Sequence, residues 1–152
     1  MNRRKIRKGT AFLMSMIVLA TLSAWAISIC SISGTNLQLA DNQQKADCAR
    51  ATAESGQEIV RNWFSNVAVP GDTSPSLIYS TVASQFSSAA STTSGVSTST
   101  SGSVITVPSV TLDSADARSF SAQVTQIDSD TIQVDVTGTY GSITKTIRAY
   151  YK

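Results

Sequence analysis

The chain has 152 residues, 41% of them hydrophobic, which suits one domain rather than two. Arg3, Arg4, Lys5, Arg7 and Lys8 give the first nine residues a charge of +5, while the remainder carries seven basic and ten acidic groups. The basic character therefore belongs to a tail and does not indicate a nucleic-acid face, and a chain without His cannot build a Ser-His-Asp or Cys-His site or use the commonest neutral metal ligand.

No charged residue occurs from residue 9 to residue 40, and residues 11–32 (AFLMSMIVLATLSAWAISICSI) are apolar but for Ser and Thr. About 20 helical residues cross a hydrocarbon core, so residues 10–33 are expected to form a transmembrane helix. Hydroxyls in such a helix can bond back to its own carbonyls. The basic cluster lies immediately before the run, which places residues 1–8 in the cytoplasm and the carboxyl-terminal bulk outside. Three processing fates are open. The segment can remain as an uncleaved signal anchor. It can be a signal peptide cut after Ala26, since Ala24-Trp25-Ala26 is a small-x-small site, although the apolar Ile27, Ile29, Cys30 and Ile32 would then start the mature chain. It can also be cut on the cytoplasmic side, between Gly9 and Thr10, leaving the whole apolar run in place.

Beyond Gly34, a plausible soft point, residues 34–64 form the amphipathic half of one long helix. Ala46, Ala49, Ala53, Gly56, Val60 and Trp63 follow one another at spacings of three and four, a single narrow face. The other faces carry Lys45, Asp47, Arg50, Glu54, Glu58 and Arg61. The stripe can pack on the protein's own sheet, serve as a seam between subunits, or do both at different heights. Cys30 and Cys48 lie 18 residues apart. On one helix that is roughly 27 Å, too far for a disulfide between them. The helix should stop before Pro70-Gly71.

Residues 65–152 form a small extracytoplasmic head. Ser74-Pro75 reads as an N-cap and first-turn proline, and Ile78, Val82, Phe86 and Ala89/Ala90 predict a helix over about 75–90. Residues 80–103 contain 15 Ser or Thr in 24, and about 90–103 reads as a polar loop. After Ser103 the pattern turns to period two. Ile105/Val107 and Val110/Leu112 mark short strands around Pro108. Three longer strands are expected over about 118–126, 131–138 and 143–151, with turns at Asp128-Ser129-Asp130 and over 138–141. The expected class is α+β: a long amino-terminal membrane-spanning helix packed on a carboxyl-terminal antiparallel sheet.

Candidate chemistry is thin. Asp113/Asp116 and Asp128/Asp130 could be acidic loops, but calcium wants six to eight oxygens and no calcium-loop motif is present. Lys45 and Lys145 read as surface charges rather than members of a Ser-Lys dyad. No catalytic residue, metal ligand, cofactor or nucleic-acid partner is expected.

The basic residues up to Gly9, the immediate hydrophobic helix from Thr10 and the later Ala53-Glu54-Ser55-Gly56 together resemble the amino-terminal region of type IV pilins and pseudopilins. More specifically, residues 3–64 are similar to PilX-type minor pilins and GspK-like minor pseudopilins. That resemblance implies a pilin-like fold, cleavage after Gly9 by a prepilin peptidase in the bacterial inner membrane, and assembly with other pilin or pseudopilin subunits through the amino-terminal helix. Major pilins carry Glu at the fifth mature position, whereas Met14 stands there in this chain; the GspK-like and some PilX-type members also lack that Glu. A minor, priming or tip-associated subunit is what this departure implies. The alternative expectation is a membrane-anchored or secreted binding module with no filament role.

Overall fold

The computed structural model describes the backbone of residues 3–152 and the side chains from Thr10 onward. Its contacts divide the chain into two units, Met1–Asn42 and Gln43–Lys152. Helix α1 (Arg3–Ser65) runs through both and includes residues 3–9, which the sequence reading had placed before the helix. Arg and Lys are good helix formers, and Gly9 alone does not end a helix that continues on both sides of it. Gly34 likewise stays helical.

In the first unit every described side chain is exposed. Phe12, Met14, Leu19, Trp25 and Ile27 each show more than half of their surface. Five of the hydroxyls are satisfied within the helix. Ser15 and Thr21 donate to the carbonyls three residues back, and Ser23, Ser28 and Thr35 to those four back. An apolar helix with internally bonded hydroxyls meets the requirement of a hydrocarbon environment, where an unpaired polar group is costly. Length and composition allow this segment to cross a membrane.

The second unit is an α+β layout. Helix α2 (Pro75–Ser91) follows the turn at Pro70-Gly71. Pro75 fills the first helical position, but the Ser74 side chain makes no capping bond; it meets Ser76 Oγ at 3.2 Å, and the Ser74 carbonyl accepts the Leu77 N–H. Five strands follow: β1 (Ser99–Ser101), β2 (Val104–Asp113), β3 (Arg118–Gln126), β4 (Ile132–Tyr140) and β5 (Ile143–Tyr151). They pair in chain order as an antiparallel meander, β1 and β5 at the edges.

The three longer strands lie within two residues of their expected bounds, because alternating apolar residues specify one buried face. Two expectations need correction. The stretches on either side of Pro108 are one strand, β2, whose pairing with β3 skips between Val107 and Val110. Pro108, which lacks an N–H, sits in that irregularity, where a missing donor is tolerated. The expected polar loop is also more ordered than its composition suggested. Val96 is buried, and Ser101 pairs with Val104 across the turn at Gly102, whose positive φ of 56° suits a tight hairpin.

The core lies between the sheet and the two helical segments of this unit. Val60, Phe86, Ile105, Phe120, Val124 and Val134 are fully buried or nearly so. Each such side chain contributes about 1.5–3 kcal/mol by leaving water.

Candidate functional site

The residues singled out on α1 separate by face. Ala49, Ala53, Gly56, Val60 and Trp63 are buried and Ala46 is half-buried. The small members lie where backbones approach. A Cβ on Gly138 of β4 would stand 2.8 Å from the Ala53 Cα, and one on Gly56 would stand 2.6 Å from the Phe120 ring. Both are below any ordinary contact, so each glycine is fixed by the neighbour it faces. The expected turn at 138–141 is thus displaced: Gly138 is a strand residue under α1, and Gly141, at φ 57°, with Ser142 turns the chain. Glycine inside a strand marks such a close approach of another backbone.

The quartet Ala53-Glu54-Ser55-Gly56 is divided by this seam. Ala53 and Gly56 face the sheet. Glu54 is exposed and accepts from Arg50 Nε at 2.9 Å, while Ser55 Oγ donates to the Ala51 carbonyl. Thr52 is buried beside them with its hydroxyl on the Cys48 carbonyl at 2.8 Å.

Farther along α1 the stripe becomes aromatic. Trp63 meets Phe86 edge to face with centroids 5.8 Å apart, and its indole N–H donates to Thr93 Oγ1 at 3.1 Å. Phe64 contacts Phe86 at 4.7 Å and stacks on Tyr151 at 5.5 Å. The end of α1 is therefore tied to α2, to the segment after it and to the last strand.

At the expected cleavage position, Gly9 lies within α1 and Thr10 is exposed; the side chains of Arg3, Arg4, Lys5, Arg7 and Lys8 lie outside the described residues. Met14 is 68% exposed. Cys30 and Cys48 are free thiols, the first exposed and the second half-buried.

Three of the four acids in the Asp113/Asp116 and Asp128/Asp130 pairs are engaged locally. Asp113 Oδ1 accepts the Ala115 N–H, Asp116 pairs with Arg118 at 2.8 Å, and Asp130 accepts the Thr131 hydroxyl at 3.0 Å. Among the described residues no three of His, Cys, Asp and Glu converge as a metal site would require. On the outward sheet face, Arg148 grips Asp135 with two hydrogen bonds, at 2.7 and 3.0 Å. That guanidinium holds the Asp135 carboxyl below the usual carboxylate range, outweighing desolvation, with Gln133 adding a smaller pull the same way.

Sequence reading missed one concavity. A groove of about 300 Å³ opens between the end of α1, the start of α2, the β3–β4 turn and the end of β5. Phe64, Ile78, Val82, Ile132 and Tyr151 line its apolar part, and Asp128 and Asp130 stand on the turn beside it. The apolar residues were visible as core candidates, but nothing in their spacing says that they leave a gap.

Neither the protein-family models nor the curated proteins nor the solved structures contain a match to this chain.

Proposed function

We propose that this chain is a single-pass membrane subunit of minor pilin or pseudopilin type, working by assembly rather than catalysis. One observation carries the reading. An uncharged apolar segment, exposed along its whole described length and with most of its hydroxyls bonded to its own backbone, continues in the same helix that docks on an antiparallel sheet. The five basic residues hold the amino terminus in the cytoplasm, and the head lies outside the bacterial inner membrane. A prepilin peptidase cuts between Gly9 and Thr10. The freed helix then leaves the bilayer for a filament core made with other pilin or pseudopilin subunits, by apolar packing. Met14 suits this minor role, because no carboxylate has to be carried through hydrocarbon.

Mass spectrometry of the mature amino terminus, on protein from its native membrane, tests the proposal. A start at Thr10, N-methylated, is the expected result. A start at Ile27 would mean a signal peptide and a secreted head, and the filament reading would fall in favour of a binding module. An intact leader would leave a plain anchor. Cross-linking in the membrane then has to capture pilin-type partners.

A further inference from the structure

We infer that the groove between α1, α2 and the β3–β4 turn is a docking site for a partner polypeptide that inserts an apolar side chain next to a Lys or Arg. This stands apart from the membrane and filament reading, since it concerns the second unit alone.

Three observations converge. The first is shape: about 300 Å³ lies at the lower edge of the range for ligand pockets, room for one side-chain anchor rather than a cofactor. The second is the apolar surface around it. In the second unit the large hydrophobic residues left exposed are Val69, Leu77, Leu112, Ile127 and Tyr150. Of these, Val69 lines the groove, so exposed apolar surface reaches its mouth. Apolar surface at the mouth of an apolar pocket is where a partner's side chain can be buried.

The third is charge. The charged residues lining the groove are Asp128, Asp130 and Lys152. Among the described residues, neither carboxylate is in an ion pair. The β3–β4 turn is closed by the N–H groups of Ile127 and Asp128 on the Thr131 carbonyl, which presents both acids at its tip. Two carboxylates against one Lys leave the side of this apolar groove net negative, which favours an apolar anchor carrying an adjacent cation over one carrying an anion. Such a pocketed anchor with a charged rim is the usual anatomy of a small protein interface.

The test uses the full chain in lipid nanodiscs with labelled Ile and Val methyl groups. The probes are two capped tetrapeptides, Gly-Lys-Phe-Gly and Gly-Glu-Phe-Gly, each measured also against empty nanodiscs to subtract lipid partition. The Lys peptide is expected to shift the Ile78, Val82 and Ile132 methyl signals saturably. It should bind at least about threefold more tightly than the Glu peptide, as rim ion pairs allow. The preference should shrink in high salt and in the Asp128→Asn/Asp130→Asn variant, whose unchanged methyl spectrum reports an intact fold. Equal binding of both peptides would overturn the charge selectivity. No saturable shift at millimolar peptide would overturn the docking site itself.

Discussion

Gly138 on β4 lies directly beneath Ala53 on α1, so close that a methyl group at 138 would meet the Ala49 carbonyl, the Ala53 amide and, at 2.8 Å, the Ala53 Cα. All three are backbone atoms, which cannot rotate aside. Gly138→Ala should therefore lift the helix from the sheet and destabilise the second unit by about 1–3 kcal/mol, the usual cost of overpacking. Gly34, with nothing within 4 Å of its would-be Cβ, is the control. Gly34→Ala should cause no loss. Urea midpoints of both variants, in the same detergent, make the comparison.

Gly56 poses the same problem with a side-chain neighbour. Its added Cβ would stand 2.6 and 2.7 Å from ring carbons of Phe120 and 2.9 Å from the Phe120 Cβ. Gly56→Ala should also cost about 1–3 kcal/mol. Because ring atoms form part of the clash, Phe120→Leu in the same chain should recover some of that loss. A double-mutant cycle on the two positions is expected to give a coupling energy of at least about 0.5 kcal/mol. Strict additivity would refute the contact.

Trp63 is 4% exposed, and its indole N–H relies on Thr93. Thr93→Val keeps the shape and removes the acceptor. The expected cost is about 1–3 kcal/mol, that of an unsatisfied buried donor. Tryptophan emission should report a changed environment at Trp63 before global unfolding.

Acid should weaken the second unit through Asp135. Its carboxyl is held below the usual range by Arg148, so in the folded state it stays ionised to lower pH than in the unfolded chain. The stabilisation is present above the unfolded value of about 3.9 and is lost as pH falls through the folded one. The urea midpoint should therefore drop as pH falls below about 4. Asp135→Asn should flatten part of that slope while leaving neutral-pH folding intact.

Topology offers a test of the membrane reading. Replacing Arg3, Arg4, Lys5, Arg7 and Lys8 by Gln removes the charged side chains before residue 41. The fixed orientation should give way to a mixture, because flanking positive charge sets it. Protease accessibility of the head in intact spheroplasts distinguishes one orientation from two.

Much of the fold could be read from side-chain periodicity. The three-and-four spacing from Ala46 to Trp63 marks the face of α1 that is buried, and alternation after Arg118 marks β3, β4 and β5. What escaped was tertiary in origin. Gly138 looks like a turn residue until α1 is laid over it. Ser99–Ser101 has no apolar signal of its own and becomes a strand by pairing with β2. Pro108 reads as a break, yet the strand continues through it by slipping register. The groove escaped for a related reason: Ile78, Val82 and Ile132 look like core residues, and only the placement of their elements leaves space between them.

The two ends of the sheet ladder have a further consequence. On one side β1 covers only residues 104–106 of β2, and the rest of that border contains Pro108, which has no N–H to donate. On the other, β5 carries the exposed Lys145, while Arg148 is turned back onto Asp135 of β4. Interrupted or charged borders resist docking of one sheet onto another. Crowded copies of this domain are thereby kept from fusing through their backbones, and association between them is left to side-chain surfaces, which can be specific and reversible.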